Sequence, residues 1–287
     1  MDKLLEVKGL TKRYERFALE NVSFSIPGGY IMGFIGPNGA GKTTTIKCIL
    51  NMVKADAGSI SLFGREGGSD GLLSKEELGI VMDAPFYVEE WTLLEVERAL
   101  SPFYQNWDRK RFGDCLSRFG LDPKKKVRDL SRGMKVKLMI AAALSHDAKL
   151  LILDEPTSGL DPLAREELMH ILRDFVSDES RGILFSTHIT TDLEKIADYI
   201  TYINQGHMVF TGEKDALLEG YLLVKGGSRE LTPSLQKRLI GLRQHSAGFT
   251  GLLPREELGL LPPGVAAEPS TLDEIMIYMS QEGFHHG

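Results

Sequence analysis

Residues 36–43 constrain the fold of this chain more than any other part of its sequence. They read Gly-Pro-Asn-Gly-Ala-Gly-Lys-Thr and fit the pattern G-x-x-x-x-G-K-[ST]. A short apolar run, residues 30–35, precedes them, and residues 43–50 have the composition of a helix. The sequence therefore predicts a buried strand, a tight loop and a helix, although a Gly-rich turn without a ligand would read the same way.

This predicted loop has the chemistry of a phosphate site. Glycines let backbone N–H groups crowd around phosphate, and the helix N-terminus adds the positive end of its dipole. Lys42 would reach the outer phosphates of a nucleotide, and the Thr43 hydroxyl would bind Mg²⁺. The residues predicted to contact nucleotide at the loop are Gly36, Pro37, Asn38, Gly39, Ala40, Gly41, Lys42, Thr43 and Thr44.

Polar residues follow two further apolar runs. Asp154 and Glu155 come directly after residues 150–153, and His188 follows residues 182–185 closely. Ligands of open α/β sheets bind at the carboxyl ends of strands, so we expect Asp154 to bind Mg²⁺ and Glu155 to polarise an attacking water. His188 is a candidate γ-phosphate contact. A solvated acidic loop and a structural histidine are the alternatives.

The order of the apolar runs indicates the fold class. Between the second and third runs, one face of a crossover helix is formed by Leu168, Ile171, Leu172 and Phe175. The order strand, helix, strand predicts an α/β fold, a P-loop core with a largely parallel sheet. Residues from about 88 to 145 contain helical spacing without a strand-like run, which predicts an inserted helical subdomain.

The pattern changes after about residue 215. Residues 221–224 have the pattern of a strand, residues 235–242 that of a helix, and Thr271-Leu272-Asp273-Glu274 is a capping-box sequence that opens a final helix. The predicted domains are therefore residues 1–215, the nucleotide-binding domain, and residues 216–287, a small α+β accessory extension.

Composition excludes several classes of protein. The net charge of −6 disfavours a polyanion as the main partner, so no nucleic acid is expected. Cys48 and Cys115, the only two cysteines, provide neither a disulfide framework nor metal-ligand spacing, which fits a reduced cytosol. No apolar stretch reaches the roughly 18 residues of a membrane span, and no signal peptide is expected at the N-terminus. His285 and His286 are given no metal role.

A second helix start also has anion-binding chemistry. Ser131 precedes a helix-like run in which Met134, Leu138 and Ala142 are apolar, so Ser131 is a candidate N-cap. The simpler interpretation is that it only caps its own helix. Because helix N-termini also bind phosphate, a second such end in a chain that already has a P-loop suggests a second subunit.

Taken in order, these residues resemble the motifs of the nucleotide-binding subunit of an ABC transporter. The resemblance covers about the first 215 residues. Tyr14 matches the aromatic residue that stacks on adenine, and His188 the switch histidine. The remaining motifs are Walker A (36–44), the signature loop L-S-R-G-M (130–134), Walker B with the catalytic glutamate (150–155) and the D-loop (158–161).

The resemblance implies a mechanism and partners. ATP and Mg²⁺ are the implied cofactors, bound in a head-to-tail dimer in which Ser131 and Gly133 of one subunit complete the γ-phosphate site of the other. ATP binding would close the dimer and hydrolysis would release it. The dimer would be a homodimer or a pair with a paralogous ATPase, cytoplasmic and peripheral on the inner face of the membrane. It would drive an integral-membrane permease on a separate chain, and export is the expected direction.

This sequence departs from the family pattern at three positions. Arg132 and Met134 replace a glycine and a glutamine of the signature loop, and Asp83 stands where the Q-loop carries glutamine. We expect Asp83 to contact Mg²⁺ directly or through water; the alternative is that it only caps a loop.

A short aromatic segment follows Asp83. It contains Phe86, Tyr87 and Trp91, at the position where the family's groove receives a coupling helix of the membrane subunit. Aromatic side chains anchor many interfaces, but they also fill protein cores. Both an interface and core packing remain open for these three residues.

Two other functions are compatible with a cassette of this kind. One is a soluble ABC-type ATPase that acts on nucleic acid or ribosomes, and the net charge disfavours it. The other is a cassette that binds ATP without turnover, and the presence of Lys42, Asp154, Glu155 and His188 argues against that.

Overall fold

The apolar runs that precede the predicted functional residues are strands of one sheet. The computed structural model describes residues 3–66, 75–82 and 87–280. In chain order the strands of this sheet are β1 (Lys3–Arg13), β2 (Ala18–Pro27), β3 (Ile31–Ile35), β4 (Ala57–Leu62), β5 (Arg65–Glu66), β6 (Leu78–Val81), β7 (Leu150–Asp154), β8 (Gly182–Thr187), β9 (Tyr199–Asn204) and β10 (His207–Glu213). Their spatial order is β5-β4-β1-β2-β10-β9-β3-β8-β7-β6.

The strands next to the predicted site are parallel. β3 pairs with β8 and β9, and β7 pairs with β6 and β8, all in parallel register. Every residue of β3, β7 and β8 is buried, which is why these strands read as continuous apolar runs. Parallel strands end at the same edge of a sheet, so the polar residues that follow β3, β7 and β8 are brought together.

The rest of the sheet contains antiparallel strands. β1 pairs antiparallel with β2 and with β4, and β4 pairs antiparallel with β5. The α/β class and the parallel core predicted from sequence are confirmed. The antiparallel strands were not predicted.

Helices of the same part of the chain include those that the apolar spacing predicted. They are α1 (Lys42–Ile49), α2 (Leu93–Leu100), α3 (Arg109–Arg118), α4 (Arg132–Leu144) and α5 (Pro162–Val176). Helices α2, α3 and α4 lie between β6 and β7 in the chain, as the predicted helical insert requires. Phe112 and Leu116 are the buried residues of α3, and Leu168 and Leu172 are buried in α5. No helix of the described ranges is long and apolar enough to cross a membrane.

The chain divides into two compact units. The first contains Met1–His188 and Tyr199–Thr211, and the second contains Ile189–Asp198 and Gly212–Gly287. The domain boundary near residue 215 stays a prediction. The second unit contains the helices α6 (Thr190–Ile196), α7 (Lys214–Gly220), α8 (Pro233–Gln236) and α9 (Leu272–Met279) and the strands β11 (Tyr221–Gly226), β12 (Ile240–His245), β13 (Gly248–Pro254) and β14 (Ala266–Pro269).

An antiparallel sheet organises the second unit. Its strand order is β12-β13-β11-β14, and Thr271 begins α9 with the predicted capping box. The helix predicted over residues 235–242 is wrong, because only the four-residue α8 forms there and β12 follows. Gly241 in β12 has φ +63°, and a Cβ atom there would lie 2.3 Å from the Tyr278 carbonyl oxygen. Close approach of α9 therefore requires glycine at position 241.

The turn between β9 and β10 gives a prediction about stability. Gly206 has φ +82°, and a Cβ atom there would lie 1.7 Å from the Ala18 carbonyl oxygen. We expect Gly206→Ala to lower the free energy of unfolding by about 3 kcal/mol, since both strain and a backbone clash oppose it.

Gly64 is the control, because its φ is +72° but nothing lies within 4 Å of the added atom. Gly64→Ala should cost about 1 kcal/mol. Equal losses in urea unfolding would contradict the clash.

Candidate functional site

The loop between β3 and α1 has the backbone geometry of a phosphate cradle. Gly36 must be glycine, since a Cβ atom there would lie 2.2 Å from the Ile203 carbonyl oxygen. Gly39 and Gly41 have φ values of +80° and +115°, which side chains rarely adopt. Gly41 is the N-cap of α1 and has no side chain to cover the first backbone N–H groups. The loop therefore presents backbone donors at a helix N-terminus.

Lys42 is held inside this loop. Its side chain is 6% exposed, and Nζ donates to the Gly36 carbonyl oxygen at 2.8 Å. Nζ also lies 3.6 Å from Oε1 of Glu155. Burial lowers the pKa of the Lys42 ammonium, and attraction to Glu155 and Asp154 partly opposes this effect. The Gly36 carbonyl oxygen and the Glu155 carboxylate therefore contact the ammonium group of Lys42, which could bind a phosphate instead.

Asp154 ends β7 and is anchored through both carboxylate oxygens. Oδ2 accepts a hydrogen bond from Thr43 Oγ1 at 2.8 Å, and Oδ1 accepts one from Ser186 Oγ at 2.9 Å. Burial raises the pKa of Asp154, while the hydrogen bonds from Thr43 and Ser186 lower it. The Thr43 hydroxyl and the Asp154 carboxylate, both predicted to bind Mg²⁺, are therefore in direct contact.

Glu155 has an unusual backbone. Its φ is +53°, a left-handed conformation that is costly for a residue with a side chain. Its N–H donates to the Ser186 carbonyl oxygen at 2.9 Å, which helps to hold this conformation. Oε2 lies 2.8 Å from His188 Nδ1 and accepts a hydrogen bond from Thr187 Oγ1 at 3.3 Å. Nδ1 is therefore the ring nitrogen of His188 that faces Glu155.

The structure thus brings together five of the predicted site residues, which are Lys42, Thr43, Asp154, Glu155 and His188. It also adds Ser186 and Thr187, which sequence analysis did not assign a role. Their signal in the sequence was two hydroxyl side chains between a buried strand and a candidate histidine. That signal was weak, because hydroxyl groups at strand ends are common in any fold.

Tyr14 lies in a separate aromatic group. Its ring is 48% exposed, 6.5 Å from the Phe17 ring and 5.6 Å from Lys12 Nζ. A Cβ atom at Gly41 would lie 3.1 Å from Phe17 Cζ, so Phe17 contacts the loop between β3 and α1. Phe17 therefore connects the exposed Tyr14 ring to that loop.

Ser131 and Gly133 form another group. Ser131 is the exposed N-cap of α4, and its Oγ accepts a hydrogen bond from the Met134 N–H at 3.3 Å. A Cβ atom at Gly133 would lie 3.3 Å from the Gly159 carbonyl oxygen and 3.1 Å from Leu160 Cδ2. The predicted signature turn therefore contacts the predicted D-loop of the same chain.

Asp83 and Phe86 lie outside the described residues, as do His285 and His286. The contact of Asp83 with Mg²⁺ stays a prediction. Trp91 is described and is 37% exposed.

Comparison with known proteins agrees with this geometry. The sequence model of the family described as "ABC transporter" matches residues 19–158. The lantibiotic transport ATP-binding protein SrtF of Streptococcus pyogenes is 35% identical over 215 residues, which are 74% of this chain and 92% of the relative. The Nod factor export ATP-binding protein I of Burkholderia orbicola is 36% identical over 223 residues, 75% of this chain and 72% of the relative.

A solved structure described as the ATP binding subunit of an ABC transporter is similar in fold and sequence. It has a TM-score of 0.69 and 32% identity, and the match covers 75% of this chain and 91% of that chain. The same relatives favour the transport class over a soluble cassette that acts on nucleic acid. The chain belongs to the ABC transporter family and is one of its ATP-binding subunits, an ATPase that powers transport across a membrane.

Proposed function

We propose that this chain binds Mg²⁺ and ATP at the carboxyl ends of β3, β7 and β8 and hydrolyses ATP to drive an exporter. The observation that carries the proposal is the cluster of Lys42, Thr43, Asp154 and Glu155. In this cluster Thr43 Oγ1 lies 2.8 Å from Asp154 Oδ2, and Lys42 Nζ lies 3.6 Å from Glu155 Oε1. Relatives named for lantibiotic transport and Nod factor export support the export direction.

The donor set fits magnesium that arrives with a nucleotide. Mg²⁺ prefers oxygen ligands and is usually held by one or two protein groups together with substrate phosphates and water. Thr43 and Asp154 offer one hydroxyl and one carboxylate in contact. Among the residues that the structure describes, no group of three or more His, Cys, Asp or Glu side chains could hold a metal alone. Bound there, Mg²⁺ would neutralise charge on the phosphates.

The side chains around the phosphates have separate roles in this proposal. In the structure Lys42 contacts the Gly36 carbonyl oxygen and Glu155. When ATP binds, Lys42 would contact its outer phosphates instead. Glu155 accepts a hydrogen bond from the attacking water and orients it. His188 and Thr187 hold Glu155 through its Oε2 atom. Because Nδ1 of His188 contacts Glu155, the predicted contact of His188 with the γ-phosphate would be made by Nε2.

Tyr14 is proposed to bind the base. An exposed ring that its neighbours hold close to the phosphate-binding loop offers a flat face to adenine, and stacking of this kind contributes about 1–3 kcal/mol per base. The Phe17 ring stacks beside Tyr14, and Lys12 Nζ lies over the Tyr14 ring.

Ser131 and Gly133 are proposed to complete the site of a second subunit. Their turn is the N-terminus of the 13-residue helix α4, whose first N–H groups and dipole favour an anion. In a head-to-tail dimer, of identical chains or with a paralogue, the turn would contact the γ-phosphate bound by the other chain. Gly159 and Leu160 would also lie at this dimer interface, because they contact the turn in this structure.

A mixing experiment tests this shared site. Ser131→Asp keeps a good N-cap but places a carboxylate against the phosphate, and Lys42→Met removes the phosphate cation. We expect each variant alone to lose at least about tenfold of its ATPase rate. A mixture should recover activity, since each mixed dimer has one site with an intact Lys42 and an intact Ser131. Phosphate release is the measurement.

The same experiment can contradict the shared site. If Lys42 and Ser131 of one chain served the same nucleotide, no mixed dimer would contain an intact site, and the mixture would stay inactive. ATP binding to the Ser131→Asp monomer should match wild type, because its own loop is unchanged. Loss of that binding would show that Ser131 acts within its own chain.

The membrane partner is proposed to dock on an apolar groove of the first unit. The groove has a volume of about 300 Å³ and is lined by Ile49, Leu50, Met52, Leu78, Ile80, Met82, Tyr87, Leu100, Tyr104 and Met139. Met52 is 51% exposed, and Phe103, next to Tyr104, is 76% exposed. Exposed apolar side chains around a groove are typical of an interaction site. We assign it to a helix of a permease on a separate chain, which would place this subunit at the inner face of the membrane.

A further inference from the structure

Ser186 has a position that the proposed mechanism does not use. It lies near the end of β8, its side chain is fully buried, and its Oγ donates to Asp154 Oδ1 at 2.9 Å. The parallel register of β7 and β8 pairs Asp154 directly with Ser186. The sheet itself therefore holds the hydroxyl beside the carboxylate.

The two oxygens of Asp154 have different surroundings. Oδ2 accepts a hydrogen bond from Thr43, an exposed residue at the start of α1, whereas Oδ1 accepts one from the buried Ser186. A cation that arrives with a nucleotide can reach the Thr43 side. When Thr43 turns to the metal, the hydrogen bond from Ser186 still holds Oδ1, and the metal would hold Oδ2, so the carboxylate stays fixed at both oxygens.

We infer that Ser186 is a positioning residue for magnesium, holding Oδ1 of Asp154 so that Oδ2 faces Thr43 and the cation. The inference rests on the proposed function of Asp154. Hydrogen bonds to a metal-binding carboxylate orient it, and their loss usually weakens metal binding by about 10- to 100-fold. Thr187 and His188, the next two residues, contact Glu155 instead, so consecutive residues serve the two carboxylates separately.

Binding of Mn²⁺ to the full chain in the presence of ADP, followed by electron paramagnetic resonance, tests the inference. We expect Ser186→Ala to raise the Kd for Mn²⁺ by about tenfold or more. The affinity for ADP without metal should stay the same, since Ser186 contacts Asp154, the carboxylate proposed to bind the metal. In ATPase assays the Mg²⁺ concentration for half-maximal rate should rise, while kcat at saturating Mg²⁺ recovers to within a few-fold of wild type.

Thr201→Val is the matched control. Thr201 is also a fully buried hydroxyl residue of the same sheet, but its Oγ1 contacts Met32 Sδ at 3.2 Å and Thr211 Oγ1 at 2.9 Å. This variant should bind Mn²⁺ as wild type does. Ser186→Cys keeps a weak donor and should show a smaller loss in the same direction. If the Ser186→Ala variant does not fold, the Mn²⁺ affinity of Ser186→Cys tests the inference instead.

The failures of the two proposals are distinguishable. Wild-type affinity for Mn²⁺ in a folded Ser186→Ala or Ser186→Cys variant would overturn the role of Ser186 and leave the proposed function intact. A wild-type chain that binds ADP but shows no ADP-dependent Mn²⁺ binding would overturn both.

Discussion

Glu155→Gln is expected to lower the rate of ATP hydrolysis by about 10²- to 10⁴-fold while ATP still binds. The amide has the size of the carboxylate, but it cannot take a proton from the attacking water. The phosphate-binding loop is unchanged, so ATP affinity should stay within a few-fold of wild type. Phosphate release and equilibrium ATP binding measure the two effects. Because bound ATP then persists, light scattering should show a doubled mass when ATP is added.

Glu6→Gln is the matched control for this variant. Glu6 forms ion pairs with Lys3 and Lys8 on β1, and its loss should leave the ATPase rate unchanged. A Glu155→Gln variant that keeps a tenth or more of the wild-type rate would exclude Glu155 as the group that activates water. A variant that loses hydrolysis but stays monomeric with ATP would contradict the shared dimer site.

Lys42→Met is expected to weaken ATP binding by about 10- to 100-fold, the loss of a charge-assisted hydrogen bond to phosphate of about 1.5–3 kcal/mol. Burial already lowers the pKa of Lys42, so the ammonium gains little from its place in the folded chain without nucleotide. Methionine fills a similar volume, and because burial disfavours the ammonium we expect the free energy of unfolding to change little. Calorimetric titration with ATP and urea unfolding separate the two quantities.

Lys47→Met on the same helix is the comparison. Lys47 lies in the last turn of α1, away from the loop, and should leave ATP binding unaltered. If Lys42→Met bound ATP as tightly as wild type, Lys42 would not be the phosphate cation. If the Lys42→Met variant were unfolded in buffer, the ion pair between Lys42 and Glu155 would stabilise the fold. The lowered pKa of Lys42 argues against that role.

Several features could be predicted from sequence because they depend on neighbours along the chain. The phosphate-binding loop is one, since its glycines and the helix start at Lys42 lie within eight residues. The caps at Ser131 and Thr271 are others, because an N-cap contacts a backbone N–H three residues away. Residues 36–44 as nucleotide contacts, and Tyr14, Ser131 and Gly133, remain predictions about a ligand.

Other features required the folded chain. The predicted helix over residues 235–242 was wrong because Ile240–His245 form β12 and pair with β13, and this pairing depends on a partner strand outside the segment. The antiparallel pairing of β1 with β2 and β4 was missed, since strand direction depends on which strands become neighbours and not on the residues of one strand.

By itself the sequence determined the glycine-rich loop between β3 and α1 and the class of fold, because both follow from local spacing, and the order of its motifs gave the resemblance to the family. Only the tertiary structure decided which atoms meet in the site. Thr43 and Asp154 are 111 residues apart in the chain, and Asp154 and Ser186 are 32 apart. Their hydrogen bonds exist because parallel strands β7 and β8 end at one edge of the sheet beside α1. Strand register is a cooperative property of the whole sheet, and no single segment of the chain contains it.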